Sequence, residues 1–536
     1  MTELVQLDGR SLTPEDVERI ARDGVEVTIS KPAHVAMQRS RERIETVLES
    51  GEPVYGVTTG FGRLVDKRID RSELRQLQTN LIRSHAAGVD EALPVEIVRG
   101  MLATRANALA KGFSGIRPVV VDRVLDLLNH GIHPIIPRRG SLGASGDLAP
   151  LAHLALVLIG EGTAQVDGER MDGLSALESA GLEPIELDAK EGLALINGTQ
   201  LSLAVGSLLV VDMQRLLDAA DVAGALTTEV TMSTTSNCDP AIAAVRPHHG
   251  HAAVAANIRR LTAESSVLDA HDDCDRVQDV YSIRCIPQVH GAVRAALVHL
   301  REVIEVELNA ATDNPLVFAR DAVDERAQGS GDAAVLSGGN FHGEPLALPL
   351  EYVQGALTEV ATISERRLDR LLNPSAQEDY LPPFLAGDPG LESGYMLAQY
   401  TSAAMGAQAR SIGRPSLDNV TVSGNQEDHV SMSVESALRA RETLKATRRA
   451  IATELVCACE AAVYLPETVE LGVGTDAVVT EIRTEVTPLA GDRPIAPALE
   501  TVTELIEHGT IETTLDRVLD APLENTRRPE RASAFR

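Results

Sequence analysis

The sequence predicts a mainly α fold, in which a mixed N-terminal domain over residues 1–115 is followed by a large bundle of long helices over residues 116–536. Hydrophobic residues make up 44% of the chain, whereas aromatic residues make up only 2% and Trp is absent. The core must therefore be built from Leu, Ile, Val and Ala, a mixture in which Leu and Ala favour helices. Long stretches of helical periodicity then point to a bundle.

The clearest helical seam has apolar residues that step by four, three, four and three positions. It consists of Leu346, Leu350, Val353, Leu357 and Val360. The segment opens at Pro345 and ends at Asn373-Pro374, which are typical start and stop signals. Similar patterns extend over residues 201–235, 291–311, 391–412 and 434–464.

The shorter elements follow in chain order. The Gly- and Thr-rich residues 55–62 are typical of a loop. Residues 119–128 predict a short amphipathic helix that stops at residues 129–131. A Gly-rich turn over residues 140–147 feeds an apolar helix over residues 151–159, and the polar residues 161–190 predict a hairpin. The charged tail after Ala521 is expected to be loosely packed.

Charge restricts the possible partners. The net charge is −29, which argues against nucleic acid as a partner. Only five of the 49 basic residues are Lys, and an acidic, Lys-poor surface is typical of proteins from high-salt cytoplasm. An ordinary acidic mesophile protein is the alternative. No signal peptide is visible in MTELVQLDGR, and the longest apolar run is too short for a bilayer, so we expect a cytoplasmic protein without membrane contact.

The strongest chemical signal is the segment Gly140-Ser141-Leu142-Gly143-Ala144-Ser145-Gly146-Asp147-Leu148-Ala149-Pro150. An ordinary Gly-Ser turn is one interpretation. A hydrolase nucleophile elbow is excluded because the last Gly of Gly-x-Ser-x-Gly is replaced by Asp147. Self-modification is the third interpretation. In it, the Gly146 nitrogen attacks the Ala144 carbonyl carbon and closes a five-membered ring. Loss of two waters then leaves a methylene on the former Ser145.

This segment, with the Leu151-Ala152-His153 that follows, resembles the signature of the aromatic amino acid lyase family, which comprises ammonia-lyases and aminomutases. The resemblance extends from about Tyr55 to His429. It implies a fumarase/aspartase-like lyase architecture. It also implies that Ala144, Ser145 and Gly146 cyclise autocatalytically to 4-methylideneimidazole-5-one (MIO), an electrophile, with no metal or dissociable cofactor.

Other segments match family motifs and imply further site residues. The loop at Tyr55 is similar to the family's mobile loop, and Asn197 matches the Asn that hydrogen-bonds the MIO oxygen. Residues 278–284 match a segment that contributes Gln278, Tyr281 and Arg284, which would share one face if the segment is a helix. Residues 339–343, which contain Phe341, match the family segment that carries a Phe.

Two positions imply the substrate. His85 stands where the family selects the substrate ring, and Gln426-Glu427 resembles the histidine-specific version, whose Glu faces the imidazole. A carboxylate can pair with a ring N–H. The resemblance therefore implies that L-histidine is converted to urocanate and ammonia, the first step of histidine degradation. Tyrosine or phenylalanine ammonia-lyase or aminomutase activity, and an inactive helical scaffold, remain alternatives.

The resemblance also implies roles and an assembly. Arg284 would bind the substrate carboxylate, Gln278 and Tyr281 would support the MIO and the amino group, and Phe341 would fix the ring. Tyr55 is our first choice of base for the β-proton. We favour attack by the substrate amine on the electrophile, but attack by the ring is open too. Family members are homotetramers whose active sites draw on three subunits.

Some features depart from the pattern or compete with it. Val280 stands where Pro is usual, and residues 285–290 contain Ile286 and His290 where Gln and Met are expected, so the pocket edge differs. Two clusters, His248-His249-His251 and residues 271–275, lack strong zinc spacing, so we expect no catalytic metal. The Gly-Ser-Ser-x-Met-Pro-x-Lys signature of fumarase-type lyases is absent from the sequence.

Overall fold

The computed structural model describes residues 4–59, 69–270, 277–324 and 326–525. It confirms a mainly α fold. The α-helices are α1 (Pro14–Glu18), α2 (Lys31–Ser50), α3 (Leu74–His85), α4 (Val95–Ala110), α5 (Pro118–Asn129), α6 (Leu148–Leu158), α7 (Gly173–Ser179), α8 (Glu191–Ile196), α9 (Gln200–Val230), α10 (Pro240–Val245), α11 (His249–Leu261), α12 (Ser266–Asp269), α13 (Tyr281–Arg284), α14 (Ile286–Leu308), α15 (Glu344–Leu372), α16 (Met396–Ser411), α17 (Ser433–Ala462), α18 (Val473–Glu485), α19 (Ala496–Glu507) and α20 (Thr510–Leu515).

The strands are short and form four small sheets. They are β1 (Leu4–Leu7), β2 (Glu26–Ile29), β3 (Val89–Ala92), β4 (His133–Pro134), β5 (Pro137–Arg139), β6 (Thr163–Val166), β7 (Glu169–Asp172), β8 (Leu316–Ala319) and β9 (Ala333–Leu336). β1 pairs with β2 in parallel, and β3–β5, β4–β6–β7 and β8–β9 are antiparallel. The hairpin predicted within residues 161–190 is the β6–β7 pair.

The predicted long helices are confirmed, with their ends moved by a few residues. The Leu346 seam lies in α15, and all five of its apolar residues are completely buried. The four other long patterns correspond to α9, α14, α16 and α17. Within the described residues, no helix is both long enough and apolar enough to cross a membrane. The predicted loose tail lies mostly outside the described residues, which end at Asn525.

The chain divides into two compact units. The first contains Met1–Leu208, Arg301–Leu350 and Arg414–Leu438, and the second contains Leu209–Leu300, Glu351–Gly413 and Arg439–Arg536. All the strands given above belong to the first unit, and the described part of the second is helical. The predicted boundary between residues 115 and 116 falls within the first unit, whose segments are far apart in sequence.

The core of each unit is aliphatic, as composition predicts. In the first unit, α4 is buried along most of its length, from Ile97 to Ala110. In the second, α17 contributes a continuous buried stretch over residues 450–461. Leu, Val, Ile and Ala fill both, so burial of aliphatic surface is the main source of stability.

The second unit also buries an ion pair. Arg367 Nε donates to Glu454 Oε1 at 2.6 Å, and Arg367 Nη2 donates to Glu454 Oε2 at 2.8 Å. Thr227 Oγ1 and Ser364 Oγ also donate to the Glu454 carboxylate, and both charged side chains are completely buried. The pair is therefore bidentate, and both carboxylate oxygens of Glu454 accept hydrogen bonds.

We expect Arg367→Met to be strongly destabilising, because it leaves the Glu454 carboxylate buried without its cation. Breaking a buried pair in this way costs about 3–5 kcal/mol. Calorimetry should show a melting temperature lower by roughly 5 °C. Arg366→Met is the matched control, since Arg366 is the neighbouring residue, has an exposed side chain and pairs with Glu365. Equal shifts for the two variants would contradict the assignment of Arg367–Glu454 as a stabilising pair.

Candidate active site

The Ala144-Ser145-Gly146 segment lies in the irregular turn that precedes α6. Gly143 adopts a φ of +70°, and a Cβ there would lie 2.2 Å from Ser431 Oγ, so only glycine fits. Ser431 Oγ donates to the Gly143 carbonyl oxygen at 3.1 Å. The turn is thus held by the chain just before α17, and Ala144 and Gly146 are buried.

Gly146 packs directly on the backbone of Gly198. Its φ is +81°, and a Cβ would lie 2.2 Å from the Gly198 carbonyl oxygen. The next amide, Asp147 N, donates to that same oxygen at 2.6 Å. Only glycine fits at this position, so no side chain of residue 146 shields the Gly146 nitrogen.

Ser145 makes two contacts that define the site. Asn197 Nδ2 donates to the Ser145 carbonyl oxygen at 3.2 Å, and Ser145 Oγ donates to Glu427 Oε1 at 2.9 Å. Asn197 is buried, and its Oδ1 is buried without a hydrogen-bond partner among the described residues. A buried amide oxygen without a donor is costly, which is consistent with the predicted site role of Asn197.

A cavity of about 860 Å³ opens over Ser145. It brings together seven of the residues predicted from the sequence: Tyr55, Ala144, Ser145, Asn197, Phe341, Gln426 and Glu427. Every residue that lines it belongs to the first unit. Glu427 is half-buried, whereas Gln426 is exposed. The cavity is large enough for an amino acid with an aromatic side chain.

Tyr55 begins the predicted mobile loop. It is half-buried and precedes Gly56, whose φ of +69° and close approach to Leu193 Cδ2 require glycine. The rest of the loop from Gly60 to Gly62 lies outside the described residues. The role of Tyr55 as the base stays a prediction.

His85 is the last residue of α3 and is not among the residues that line the cavity. Its Nδ1 lies 2.9 Å from the Leu81 carbonyl oxygen and 3.1 Å from Ser84 Oγ. Because a carbonyl oxygen only accepts, the contact with Leu81 requires a proton on Nδ1. The proposed selection of the substrate ring by His85 stays a prediction.

The helix predicted to carry Gln278, Tyr281 and Arg284 is shorter than expected. Only Tyr281 and Arg284 lie in α13, and Gln278 lies in the irregular segment before it, so the three residues do not share one helical face. The segment is too short to sustain a longer helix, and Val280 is its extended N-terminal cap. Arg284 nevertheless joins the three residues: Nη1 donates to Gln278 Oε1, and its guanidinium carbon lies 4.7 Å from the Tyr281 ring centre. They belong to the second unit.

Sequence reasoning missed Asp147, although it directly follows Gly146. Its carboxylate is completely buried and accepts from Ser202 N at 2.9 Å, at the N-terminus of α9. Burial raises the pKa of Asp147 to about 6, although hydrogen bonds from Ser202, Leu201 and Ser141 oppose the shift. Two helix N-termini, those of α6 and α9, thus begin within four residues of the Ser145–Asn197 contact, and both favour negative charge there.

The remaining lining residues were also missed. They are Asn314, Ser337, Gly338, His342, Glu344, Asp428 and His429. The rings of His342 and His429 are stacked, with their centres 5.6 Å apart. His342, Asp428 and His429 stand beside Phe341 and Glu427 in segments that match family motifs, but no role was assigned to them. Asn314, Ser337, Gly338 and Glu344 belong to none of those segments, and only folding shows that they meet the others.

The metal-like clusters give no site among the described residues, where no group of three His, Cys, Asp or Glu side chains is arranged to hold an ion. Residues 271–275 lie outside the described part of the chain.

Comparisons with known proteins agree with the motif. A sequence profile described as "Aromatic amino acid lyase" matches residues 12–484. A protein of Halobacterium salinarum named probable histidine ammonia-lyase is 57% identical over 97% of this chain and 99% of its own. The histidine ammonia-lyase of Stigmatella aurantiaca is 46% identical over 95% of this chain and 97% of its own.

Two solved structures have the same fold. The histidine ammonia-lyase from Trypanosoma cruzi is 38% identical, with a TM-score of 0.88 and 96% of both chains covered. A tyrosine aminomutase from Streptomyces globisporus is 37% identical, with a TM-score of 0.90 and 97% and 100% of the chains covered. The fold is therefore shared by enzymes of different specificity.

Proposed function

We propose, from the premise that this chain belongs to the aromatic amino acid lyase family, that it is a carbon–nitrogen lyase that converts L-histidine to trans-urocanate and ammonia. The observation that carries the choice of substrate is the carboxylate of Glu427, which lies in the cavity and contacts Ser145 Oγ. A carboxylate can accept a hydrogen bond from an imidazole N–H, which phenyl and phenol rings lack at that position. Relatives named histidine ammonia-lyase support histidine as the substrate.

The Ala144-Ser145-Gly146 segment fits the MIO group on two observations. Gly146 has no room for a side chain, and the Asn197 amide already meets the Ser145 carbonyl oxygen, the oxygen that the ring retains. We infer that the Gly146 nitrogen bonds the Ala144 carbonyl carbon. The Ala144 oxygen leaves as water with the two amide protons, and the Ser145 hydroxyl leaves with the Cα proton as the second water. When formed, the group supplies an electrophilic methylene.

The other residues bind and orient the substrate. Asn197 Nδ2 donates to the Ser145 carbonyl oxygen, and the N-termini of α6 and α9, which begin three residues after Ser145 and Asn197, favour negative charge near it. Glu427 holds the imidazole, and Phe341 lies in the same cavity wall to limit the tilt of the ring. Tyr55 accepts the β-proton. The family resemblance implies that Arg284 binds the carboxylate and that Gln278, Tyr281, Gln426 and His85 contribute to the assembled site, in which the motifs meet across subunit boundaries.

The fold alone also accommodates tyrosine or phenylalanine chemistry, since a tyrosine aminomutase has the same architecture. Glu427 favours histidine over phenylalanine because a phenyl ring offers the carboxylate no hydrogen-bond donor, and relatives named histidine ammonia-lyase favour histidine over tyrosine. Incubation with histidine, tyrosine and phenylalanine in parallel separates the alternatives.

We expect two results from the purified protein. Its intact mass should lie about 36 Da below the encoded mass, since two waters are lost. Histidine should yield urocanate, followed by its absorbance, and because the chain contains no Trp, a new near-ultraviolet band from the MIO should be visible as well. Active protein with the full encoded mass would contradict the MIO assignment, and matured protein that turns over only tyrosine would contradict the substrate.

We also propose a homotetramer with shared active sites. The residues proposed to bind the substrate belong to both units, and the family resemblance places them across subunit boundaries. The cytoplasmic location and the absence of nucleic acid as a partner stay predictions from the sequence.

Assembly and activity should depend together on salt. Four subunits at −29 each would carry a formal charge of about −116, and repulsion acts over roughly 30 Å at 0.01 M salt but about 3 Å at 1 M. Light scattering and histidine turnover measured down a salt gradient should fall in parallel. A fully active monomer would refute shared sites. A tetramer that stays active in dilute buffer would refute salt adaptation and favour the ordinary acidic interpretation.

A further inference from the structure

A buried arginine lies behind the Ser145–Asn197 contact. Arg105, in the middle of α4, is completely buried, and its guanidinium reaches the segment that links α8 to α9. Nη1 donates to the Asn197 carbonyl oxygen at 3.0 Å and to Gln200 Oε1 at 2.8 Å, and Nη2 donates to the Ala194 carbonyl oxygen. One side chain therefore ties together the end of α8 and the start of α9.

The same guanidinium packs against Gly198. A Cβ on Gly198 would lie 2.6 Å from Arg105 Nη1 and 2.5 Å from Gln200 Oε1. The other side of Gly198 receives Gly146, whose amide neighbour Asp147 N bonds the Gly198 carbonyl oxygen. The Ala144–Gly146 turn thus rests on Gly198, and Gly198 rests on Arg105.

The Arg105 guanidinium keeps its positive charge although it is buried. Burial lowers the pKa of Arg105 to about 10, with Asp313 opposing the shift, so the guanidinium stays protonated at neutral pH. Asp313 Oδ2 accepts a hydrogen bond from Lys190 Nζ at 2.6 Å, and the three acceptors of Arg105 are neutral oxygens. A cation that only holds backbone and amide oxygens is costly to bury, which argues for a role beyond stability.

We propose that Arg105 is a positioning residue for ring closure, which fixes Asn197 and Gly198 so that the Ser145 carbonyl oxygen and the Gly146 backbone are held in the reactive arrangement. This inference rests on the proposed function. Arg105 contacts the backbone of Asn197, whereas the amide of Asn197 contacts Ser145, so Arg105 acts through another residue. Closure of the Gly146 nitrogen on the Ala144 carbon needs these atoms aligned, and a misplacement of about 1 Å costs on the order of 100-fold.

The test compares Arg105→Lys and Arg105→Gln with Arg99→Gln. Arg99 is the matched control because it is a buried arginine of the same helix whose Nε and Nη1 donate to the carbonyl oxygens of Ile20 and Leu128. All the variants are expected to melt at a lower temperature. Only the Arg105 variants should retain the encoded mass in a large fraction of molecules and lose kcat for histidine by roughly tenfold to 100-fold, with KM nearly unchanged.

Gln200→Met covers the case in which the Arg105 variants do not fold. It removes one of the three acceptors of Arg105. The fraction of molecules that retain the encoded mass, without the loss of about 36 Da, should therefore rise as in the Arg105 variants, but by less. Complete maturation and wild-type kcat in Arg105→Lys, or in Gln200→Met if the former is unfolded, would overturn the inference. A wild-type protein at its full encoded mass would instead overturn the proposed function on which the inference rests.

Discussion

Ser145→Ala is expected to give a folded protein that has lost histidine turnover by on the order of 10³-fold or more. Alanine has no hydroxyl, so the second water cannot leave and no methylene forms on residue 145. The turn itself should persist, because it is fixed by Gly143 on Ser431 and by Gly146 on Gly198. Intact mass should show at most one water lost, about 18 Da.

Ser207→Ala is the matched control for that substitution. Ser207 is a completely buried serine of the same unit whose Oγ donates to the Leu203 carbonyl oxygen within α9. This variant should mature fully and keep its activity. Substantial urocanate formation by the Ser145→Ala protein would rule out a methylene at residue 145 as the electrophile.

Glu427→Gln is expected to lower kcat/KM for histidine by about 100-fold or more, with a smaller effect on tyrosine or phenylalanine. The substitution keeps the shape of the side chain but removes the charge that favours an imidazole N–H donor. In the encoded chain Glu427 also accepts from Ser145 Oγ, so intact mass must be measured on the same sample to separate substrate binding from maturation.

Glu435→Gln provides the control, because Glu435 lies in the first unit and pairs with the half-exposed Arg139 at 3.1 Å. Loss of this exposed pair should change activity little. If a fully matured Glu427→Gln protein kept both its rate with histidine and its preference for histidine, the assignment of this carboxylate to the imidazole would be wrong.

The helices were predictable because burial of one face repeats along the chain. The Leu346 seam shows this, since all five of its members are buried in α15. By contrast, the segment from Gln278 to Arg284 has no apolar seam, and only its last four residues are helical. Spacing identified residues that meet, but the contact comes from the reach of the Arg284 side chain.

The reactive turn was also predictable, because ring closure needs particular residue types in consecutive positions. A small residue, a hydroxyl and a glycine stand at residues 144–146, and the structure shows why glycine is required: a Cβ at residue 146 would collide with Gly198. Other residues that line the cavity, such as Asn314 and Ser337, are separated from this turn by long stretches of chain and left no local signal.

The sequence by itself determined the helical fold, because apolar residues repeat at a fixed period, and its family resemblance predicts a self-modifying turn at residues 144–146 and an imidazole partner in Glu427. Tertiary structure alone decided that Asp147 is buried against α9 and that Arg105 lies beneath Gly198, and it supplies the geometry of the contact between Asn197 and the Ser145 carbonyl oxygen. These contacts join residues 50 to 100 positions apart, and no local rule specifies them. Burial makes them informative, because a polar group removed from water must find its partner wherever the fold places one.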